Sequence, residues 1–283
     1  MQILINEPLK NHTNYKIGGN TPKLFVIENI SEFKEINDKE LHNSYILGGG
    51  TNILVSDSGI NNPVIKINFQ QFLLDELNQM LTIGSGVNLS EVAKTLSERG
   101  YEGLTHLSGI PGTIGGAVYM NASASHGAIS DFLIDVEAYN KDTRERKVFT
   151  KTECRFGFRT SIFQNSPWII IFVRFQLKKG NKDELLKLYN EINTYRQKNY
   201  PLTFPSAGCC FRRDWGGKDI INKIGMSGAI EGKAIVSPMF PAFILNTGDA
   251  TAKEVYSLIS KIQERAKEIN EEMPLEIITW GEI

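Results

Sequence analysis

The sequence predicts an α+β fold in which a larger, strand-rich part precedes a smaller part. Through the first two-thirds of the chain, short β-type runs alternate with glycine-rich turns. Three amphipathic helical patterns accompany them. A domain boundary is expected near 197–205, where a long helical pattern ends and two prolines interrupt a short segment. With 283 residues, the chain is long enough for about two domains of ~100–200 residues each.

The predicted strands are short runs of β-branched and other apolar residues, bounded by turn-forming residues. They are Tyr45–Leu47, Ile53–Val55, Val64–Ile67, 80–83, 135–139 and 169–176. The sequence contains no internal repeat and no low-complexity segment.

Three helices are predicted from apolar residues that recur at intervals of three and four. They cover 89–99, 182–196 and 252–269. Asn88 and Glu91 form an N-terminal capping pair for the first helix, and Thr251 and Glu254 form a capping box for the third. We expect the apolar stripes of all three helices to face the core, so we assign them no chemical role.

The charge balance and the hydropathy pattern exclude several classes of protein. Lys and Arg total 31 and Asp and Glu total 32, so a basic footprint for nucleic acid is absent and no nucleic-acid partner is expected. No apolar run approaches the ~20 residues of a membrane helix. The N-terminus lacks the basic-then-apolar layout of a signal peptide. These features predict a cytoplasmic protein with no membrane partner and no obligate protein partner.

The three cysteines, two of which are adjacent, do not indicate a disulfide framework. No CxxC or HExxH spacing is present, and the four histidines are scattered, so no metal site is predicted.

Two glycine clusters are candidate binding sites for a phosphate-containing cofactor, because glycine lets backbone N–H groups converge on an anion. Their members are Gly48, Gly49, Gly50, Thr51 and Asn52 in the first, and Gly109, Gly112, Thr113, Gly115 and Gly116 in the second. Either cluster alone could be a set of tight turns. A strand rather than a helix follows the first cluster, and its spacing is not GxGxxG, so a Rossmann fingerprint is disfavoured.

Ordered motifs along nearly the whole chain resemble those of the UDP-N-acetylenolpyruvoylglucosamine reductase family. They lie at 12–19, 48–55, 109–121, 156–163, 205–211, 242–252 and 275–281. The resemblance implies a vanillyl-alcohol-oxidase/PCMH-type FAD-binding fold, with FAD-binding subdomains at 1–70 and 71–197. It also implies a smaller α+β substrate-binding domain at 198–283 that ends in a catalytic strand. The short third domain resembles that of the shorter subtype of the family.

The resemblance also implies a reaction in peptidoglycan precursor synthesis. NADPH reduces FAD, and flavin N5 then gives hydride to C3 of the enolpyruvyl group of a UDP-sugar. Arg159 matches the catalytic arginine, and a guanidinium suits a substrate carboxylate on which negative charge develops. Glu276 matches the catalytic glutamate, for which a raised pKa is expected beside that carboxylate.

Cys209 stands where the family commonly has a serine that gives the proton to C2. A thiol is a better intrinsic proton donor than an alkyl hydroxyl. In extended backbone, neighbouring side chains point to opposite faces, so only one member of the Cys209–Cys210 pair can face the flavin. The motif register selects Cys209. Arg212 and Arg213, just after the pair, are candidate ligands of the UDP pyrophosphate.

Three segments depart from the family pattern: Phe158 replaces a tyrosine, 122–127 replaces a segment richer in Gly and Tyr, and 237–242 replaces a more polar stretch. Because of these departures, an alternative function stays open: a flavoenzyme of the same fold that acts on a different small molecule. A degenerate FAD-binding module is disfavoured because Arg159, Cys209 and Glu276 are all present. A cysteine hydrolase built on Cys209 lacks a recognisable histidine partner.

Overall fold

The computed structural model describes residues 1–283, apart from the side chains of Asp214 and Trp215. In chain order, the strands are β1 (Gln2–Pro8), β2 (Asn20–Ile27), β3 (Tyr45–Leu47), β4 (Ile53–Val55), β5 (Val64–Ile67), β6 (Phe72–Asp75), β7 (Met80–Gly84), β8 (Tyr101–Glu102), β9 (Ser123–Ala124), β10 (Gly127–Ala128), β11 (Leu133–Asn140), β12 (Arg146–Thr150), β13 (Trp168–Gln176), β14 (Lys178–Lys179), β15 (Ile230–Glu231), β16 (Ala234–Val236), β17 (Ile244–Asn246) and β18 (Ile278–Trp280). All six strands predicted from the sequence are present, within two residues at either end.

The helices are α1 (Asp38–Asn43), α2 (Leu89–Glu98), α3 (Ile114–Tyr119), α4 (Lys182–Asn199), α5 (Lys218–Lys223) and α6 (Ala252–Glu268). The three predicted helices correspond to α2, α4 and α6. The Asn88 side chain caps α2 by accepting from the backbone N–H groups of Ser90 and Glu91. The predicted capping box of Thr251 and Glu254 opens α6. Within the described part of the chain, no helix is both long and apolar enough to span a membrane.

The chain divides into two compact units. The first unit comprises Met1–Leu4, Leu24–Gly49 and Asn62–Arg196. The second comprises Ile5–Lys23, Gly50–Asn61 and Gln197–Ile283. The finer division of the first 197 residues into two FAD-binding subdomains stays a prediction.

The core of the first unit forms around an antiparallel sheet of five strands in the order β12-β11-β13-β7-β6. One face of α2 packs onto this core through Leu89, Val92, Ala93 and Leu96, all of them buried. The amphipathic pattern of α2 therefore has the structural role expected of it.

A second sheet has the order β1-β2-β5-β3, and β5 pairs in parallel with both β2 and β3. A parallel pair needs a long connection, whereas a hairpin can join antiparallel strands. The chain leaves β3 at Leu47 and enters the first glycine cluster directly. The cluster therefore lies at the carboxyl end of a parallel strand, where α/β sheets commonly bind ligands.

The second unit contains the antiparallel sheet β15-β16-β17 and the parallel pair β18-β4. Helix α6 supplies Val255, Leu258, Ile259 and Ile262 to its core, and all four are buried. Pairing with β4 fixes the chain direction just after Glu276, because Ile278 lies opposite Ile53.

One expectation about the helices is wrong. In α4, only Leu185 of the predicted apolar stripe is buried. The helix carries charged and polar residues over most of its surface, so the stripe is half-covered rather than enclosed in a core.

Candidate active site

Within the first unit, Gly48 and Gly49 of the first glycine cluster lie close to the second cluster. A Cβ at Gly49 would lie 2.8 Å from the Cα of Gly112, and a Cβ at Gly48 would lie 2.8 Å from Oγ1 of Thr113. A Cβ at Gly115 would lie 2.7 Å from the Cβ of Ser85. Side chains at these positions would push the loops apart, so glycine is required for their close approach.

Three buried polar atoms lie on or beside the same loops. The hydroxyl oxygens of Ser85 and Ser108 and the Oδ1 of Asn121 have no hydrogen-bond partner among the described residues. An unsatisfied buried polar group costs free energy, so unpaired polar atoms on these loops are suited to pair with a polar ligand. Together with the glycines, these atoms fit a cofactor with phosphate and ribityl oxygens. The sequence pointed to the glycines but not to these three side chains as a set.

Arg159 lies in the first unit, in a tight turn held by two hydrogen bonds between Gly157 and Thr160, of 3.1 and 3.3 Å. Its Nη1 is 3.5 Å from the carbonyl oxygen of Ser123. Its guanidinium carbon lies 5.5 Å from the centre of the Phe158 ring, which is 57% exposed. Phe158 therefore provides an apolar surface beside the guanidinium, where the family pattern has a tyrosine.

Cys209 and Glu276 belong to hydrogen-bonded neighbouring segments of the second unit. The backbone N–H of Glu276 donates to the carbonyl oxygen of Cys210 at 2.8 Å. Phe211 and Leu275 form an antiparallel bridge, which sets the register of the two segments. On its other side, Cys209 bridges Phe243. Two of the three predicted catalytic residues are thus brought together by backbone pairing, whereas Arg159 belongs to the other unit.

The two adjacent cysteines have different environments. Cys210 is fully buried, and burial raises the pKa of its thiol to about 12. Cys209 is half-buried and packs against an aromatic cluster that includes Phe240 and Phe243. The alternation expected from extended backbone therefore holds, and Cys209 is the more accessible thiol.

Tyr15 anchors the core side of this segment. Its hydroxyl donates to the carbonyl oxygen of Ile244 at 2.7 Å, and complete burial raises its pKa well above the usual value. The carbonyl oxygen of Tyr15 accepts from the Nδ2 of Asn246 at 3.0 Å. Sequence analysis included Tyr15 in a family motif but assigned it no role.

Asn52 has a contact that the sequence did not predict. Its Nδ2 donates to the carbonyl oxygen of Glu276 at 3.1 Å, and its own carbonyl accepts from Ile278 at 3.0 Å. Gly50, Thr51 and Asn52 belong to the second unit, whereas Gly48 and Gly49 belong to the first. Asn52 therefore fixes the backbone that carries Glu276, besides its predicted role at the cofactor.

The two candidate pyrophosphate ligands differ from each other. Arg213 pairs with Glu271 at 3.0 Å and donates to the carbonyl oxygen of Glu272 at 2.7 Å. The Nε of Arg212 is buried and has no hydrogen-bond partner in the described part of the chain. Arg213 is thus held by an ion pair and a carbonyl, whereas Arg212 has a buried donor that the described residues leave unpaired.

Comparisons with known proteins show the class and the family of this chain. A family model described as an FAD-binding domain matches residues 27–148, and one described as the UDP-N-acetylenolpyruvoylglucosamine reductase C-terminal domain matches 200–279. The chain is therefore an FAD-dependent oxidoreductase with the predicted α+β fold.

Relatives along the full length identify the particular family. The UDP-N-acetylenolpyruvoylglucosamine reductase of Pseudothermotoga lettingae is 36% identical over 99% of this chain and 98% of its own length. That of Bacillus pumilus is 36% identical over 99% and 95%. The crystal structure of the reductase from Thermus caldophilus matches with a TM-score of 0.85 and 30% identity, covering 99% of this chain and 98% of that one. The chain belongs to the UDP-N-acetylenolpyruvoylglucosamine reductase family, as the motifs predicted.

Proposed function

We propose that this protein reduces the enolpyruvyl group of UDP-N-acetylglucosamine enolpyruvate to give UDP-N-acetylmuramate, with NADPH as the reductant. The observation that carries the proposal is the backbone pairing of Cys209–Cys210 with Glu276. This pairing holds a proton donor and a carboxyl group on adjacent segments, as protonation next to a carboxylate requires. FAD, when bound, supplies the hydride.

In this proposal, Cys209 protonates C2 of the substrate. Its thiol is half-buried, so a substrate can reach it, and it packs against Phe240 and Phe243, which limit the access of water. Cys210 cannot replace it, because Cys210 is fully buried and its raised pKa keeps the thiol inert.

Arg159 and Glu276 act on the enolpyruvyl group. Arg159 offers N–H donors to the substrate carboxylate, where negative charge grows as hydride arrives at C3. Glu276 polarises the same group from the segment that Asn52 and Cys210 hold by hydrogen bonds.

Arg212 and Arg213 are the proposed ligands of the nucleotide diphosphate. Arg212 has an unused Nε, and Arg213 can exchange its half-exposed ion pair with Glu271 for a phosphate oxygen. Charge-assisted bonds from arginine to phosphate are often bidentate, so they add specificity as well as affinity. We place the reaction in the cytoplasm, where UDP-sugars and NADPH are available.

One observation favours a second candidate, a flavoenzyme of the same fold with a different small-molecule substrate. The segment that departs from the family pattern, 237–242, contributes Phe240 to an aromatic stack with Tyr200, whose ring centres are 4.8 Å apart. The Nζ of Lys218 lies 5.8 Å from the Phe240 ring. Phe240 is buried in the aromatic cluster against which Cys209 packs, and apolar surroundings of this kind favour a less polar substrate.

The test measures the two half-reactions separately under anaerobic conditions. With Cys209→Ala, we expect bleaching of the flavin by NADPH at the wild-type rate, whereas its reoxidation by the nucleotide substrate slows by about 10²–10⁴-fold. Cys209→Ser should be milder. Cys210→Ala, at the neighbouring buried position, should leave reoxidation much closer to the wild-type rate.

Three results would contradict the proposal in different ways. If Cys209→Ala slowed both half-reactions equally, Cys209 would not be the proton donor. A wild-type protein that bleaches but is not reoxidised by the nucleotide would favour the second candidate. A wild-type protein that binds no FAD would overturn both.

A further inference from the structure

The backbone of Arg159 adopts a conformation that residues with a side chain rarely adopt. Its φ is +55°, in the left-handed region. Outside glycine, this region is uncommon, and a bulky residue persists there only when surrounding contacts enforce it. The contacts that enforce it here therefore bear on the placement of the guanidinium.

Arg159 is the third residue of the Gly157–Thr160 turn, which favours this conformation, and Gln164 adds contacts that hold it. The Nε2 of Gln164 donates to the carbonyl oxygen of Arg159 at 2.9 Å and to that of Tyr119 at 3.1 Å. It also lies 3.5 Å from the sulfur of Met120. Tyr119 is the last residue of α3, the helix that begins directly after Thr113 of the second glycine cluster. One amide group thus joins the end of α3 to the backbone of Arg159.

Two further hydrogen bonds run between the same pair of segments. The Ser161 hydroxyl donates to the carbonyl oxygen of Tyr119 at 2.8 Å, and the Nδ2 of Asn121 donates to that of Gly157 at 2.9 Å. Asn121 is itself in the left-handed region, with φ +43°. The segment that carries Arg159 is therefore pinned to the end of α3 at several points, and of these three side chains Gln164 is the one that bonds to the backbone of Arg159.

We propose that Gln164 is a positioning residue for the reaction. It holds Arg159 in its left-handed conformation and fixes its guanidinium relative to the cofactor-binding loop that precedes α3. This inference rests on the proposed role of Arg159 in binding the substrate carboxylate.

The chemistry of the contact requires an amide at this position. Both targets are carbonyl oxygens, so the group between them must donate, and an amide NH₂ has two N–H donors and no charge. A carboxylate of the same shape would place an acceptor against two acceptors. An aliphatic side chain of similar length would fill the space and leave both carbonyls without this donor.

The experiment compares Gln164→Glu and Gln164→Met with the wild-type holoenzyme in anaerobic half-reactions. We expect FAD content and flavin reduction by NADPH to stay within about twofold, and reoxidation by the nucleotide to slow by roughly 10- to 100-fold, the scale of a small misplacement of a reacting group. Gln164→Met provides the test if the carboxylate prevents folding.

Gln176→Glu is the matched control. Gln176 lies in the same unit, and its Nε2 also donates to carbonyl oxygens, those of Asn78 at 3.1 Å, Gln79 at 3.2 Å and Leu177 at 3.5 Å. Its described hydrogen bonds reach neither α3 nor the segment of Arg159. The Gln176→Glu variant should therefore retain the wild-type rate of flavin reoxidation.

A double-mutant cycle separates positioning from general structural damage. If Gln164 acts through Arg159, then Gln164→Met should slow reoxidation in the wild type but add less than about twofold in the Arg159→Ala background. Equal effects in both backgrounds would overturn the inference, and so would a wild-type rate for both Gln164 variants. If Arg159→Ala itself reoxidised at the wild-type rate, the proposed function of Arg159 would fail rather than its connection to Gln164.

Discussion

At the scale of single residues, the adjacent thiols Cys209 and Cys210 show how backbone geometry assigns different roles to identical groups. Extended backbone sends their side chains to opposite faces. Cys210 lies in the core of the second unit, whereas Cys209 remains half-exposed beside Phe243. Burial disfavours the charged form of a thiol, which is why the pKa of Cys210 rises to about 12.

Thiol reactivity in the native state tests this difference. Cys154 is also buried, and burial raises the pKa of its thiol to about 12. Thiolate is the reactive form, so neither Cys154 nor Cys210 should react with a thiol reagent at pH 8. We expect one labelled thiol in the native protein and three in denaturant. Cys209→Ser should abolish native labelling, and two or more native labels in the wild type would contradict the assignment.

At the scale of elements, the candidate cofactor site depends on two loops whose backbones nearly touch. The first follows β3, and the second leads into α3. The distances at Gly49 and Gly115 leave no room for a Cβ without a shift of backbone or of Ser85. By contrast, a Cβ at Gly116 would meet Thr113 at 3.5 Å, an ordinary contact.

Alanine at Gly49 and at Gly116 should therefore separate loop packing from contact with the cofactor. Gly49→Ala should lower both the thermal stability of the apoprotein and its affinity for FAD, because the added methyl clashes with Gly112. Gly116→Ala, within α3, should leave apoprotein stability unchanged or slightly raised, because alanine favours a helix more than glycine does, and should weaken FAD binding. Thermal unfolding without FAD and flavin titration measure the two effects. A stable Gly49→Ala apoprotein with full FAD affinity would contradict the role of this close approach.

Helices and strands differ in how fully the sequence specified them. Capping residues and a wide apolar stripe defined α2 and α6, because these signals are local. The first strands, β1 and β2, were not predicted, since their pairing depends on partners far along the chain. The apolar face of α4 is less buried than predicted, because periodicity shows which face of a helix is apolar but not what covers that face.

At the scale of the whole molecule, pH changes the free energy of unfolding through buried ionisable groups. His106 is 8% exposed, and burial lowers its pKa below the usual value of 6.5, although Asp131 acts in the opposite direction. Below pH 6.5, the unfolded state therefore binds more protons at this residue than the folded state does. Stability then rises with pH in this range and falls as the solution becomes more acidic.

The slope of stability against pH tests this contribution. Between pH 6.5 and pH 5, the free energy of unfolding should fall less in His106→Gln than in the wild type. This expectation holds whatever the substitution does to stability at neutral pH. His42→Gln, at an exposed histidine, should change the slope less. Denaturant unfolding at a series of pH values measures the slope. An unchanged slope in His106→Gln would show that this histidine does not contribute.

The sequence by itself determined the fold class, the capped helices, the two glycine clusters and the family, because these depend on local chemistry or on ordered motifs. It also selected Cys209 over Cys210, through register and alternation. Only the tertiary structure decided which side chains hold the site: Asn52 on Glu276, and Gln164 on Arg159. The first contact joins residues 224 positions apart, and even the second, five positions apart, depends on a turn that no local propensity specifies. Such contacts arise only when the folded backbone brings donor and acceptor together.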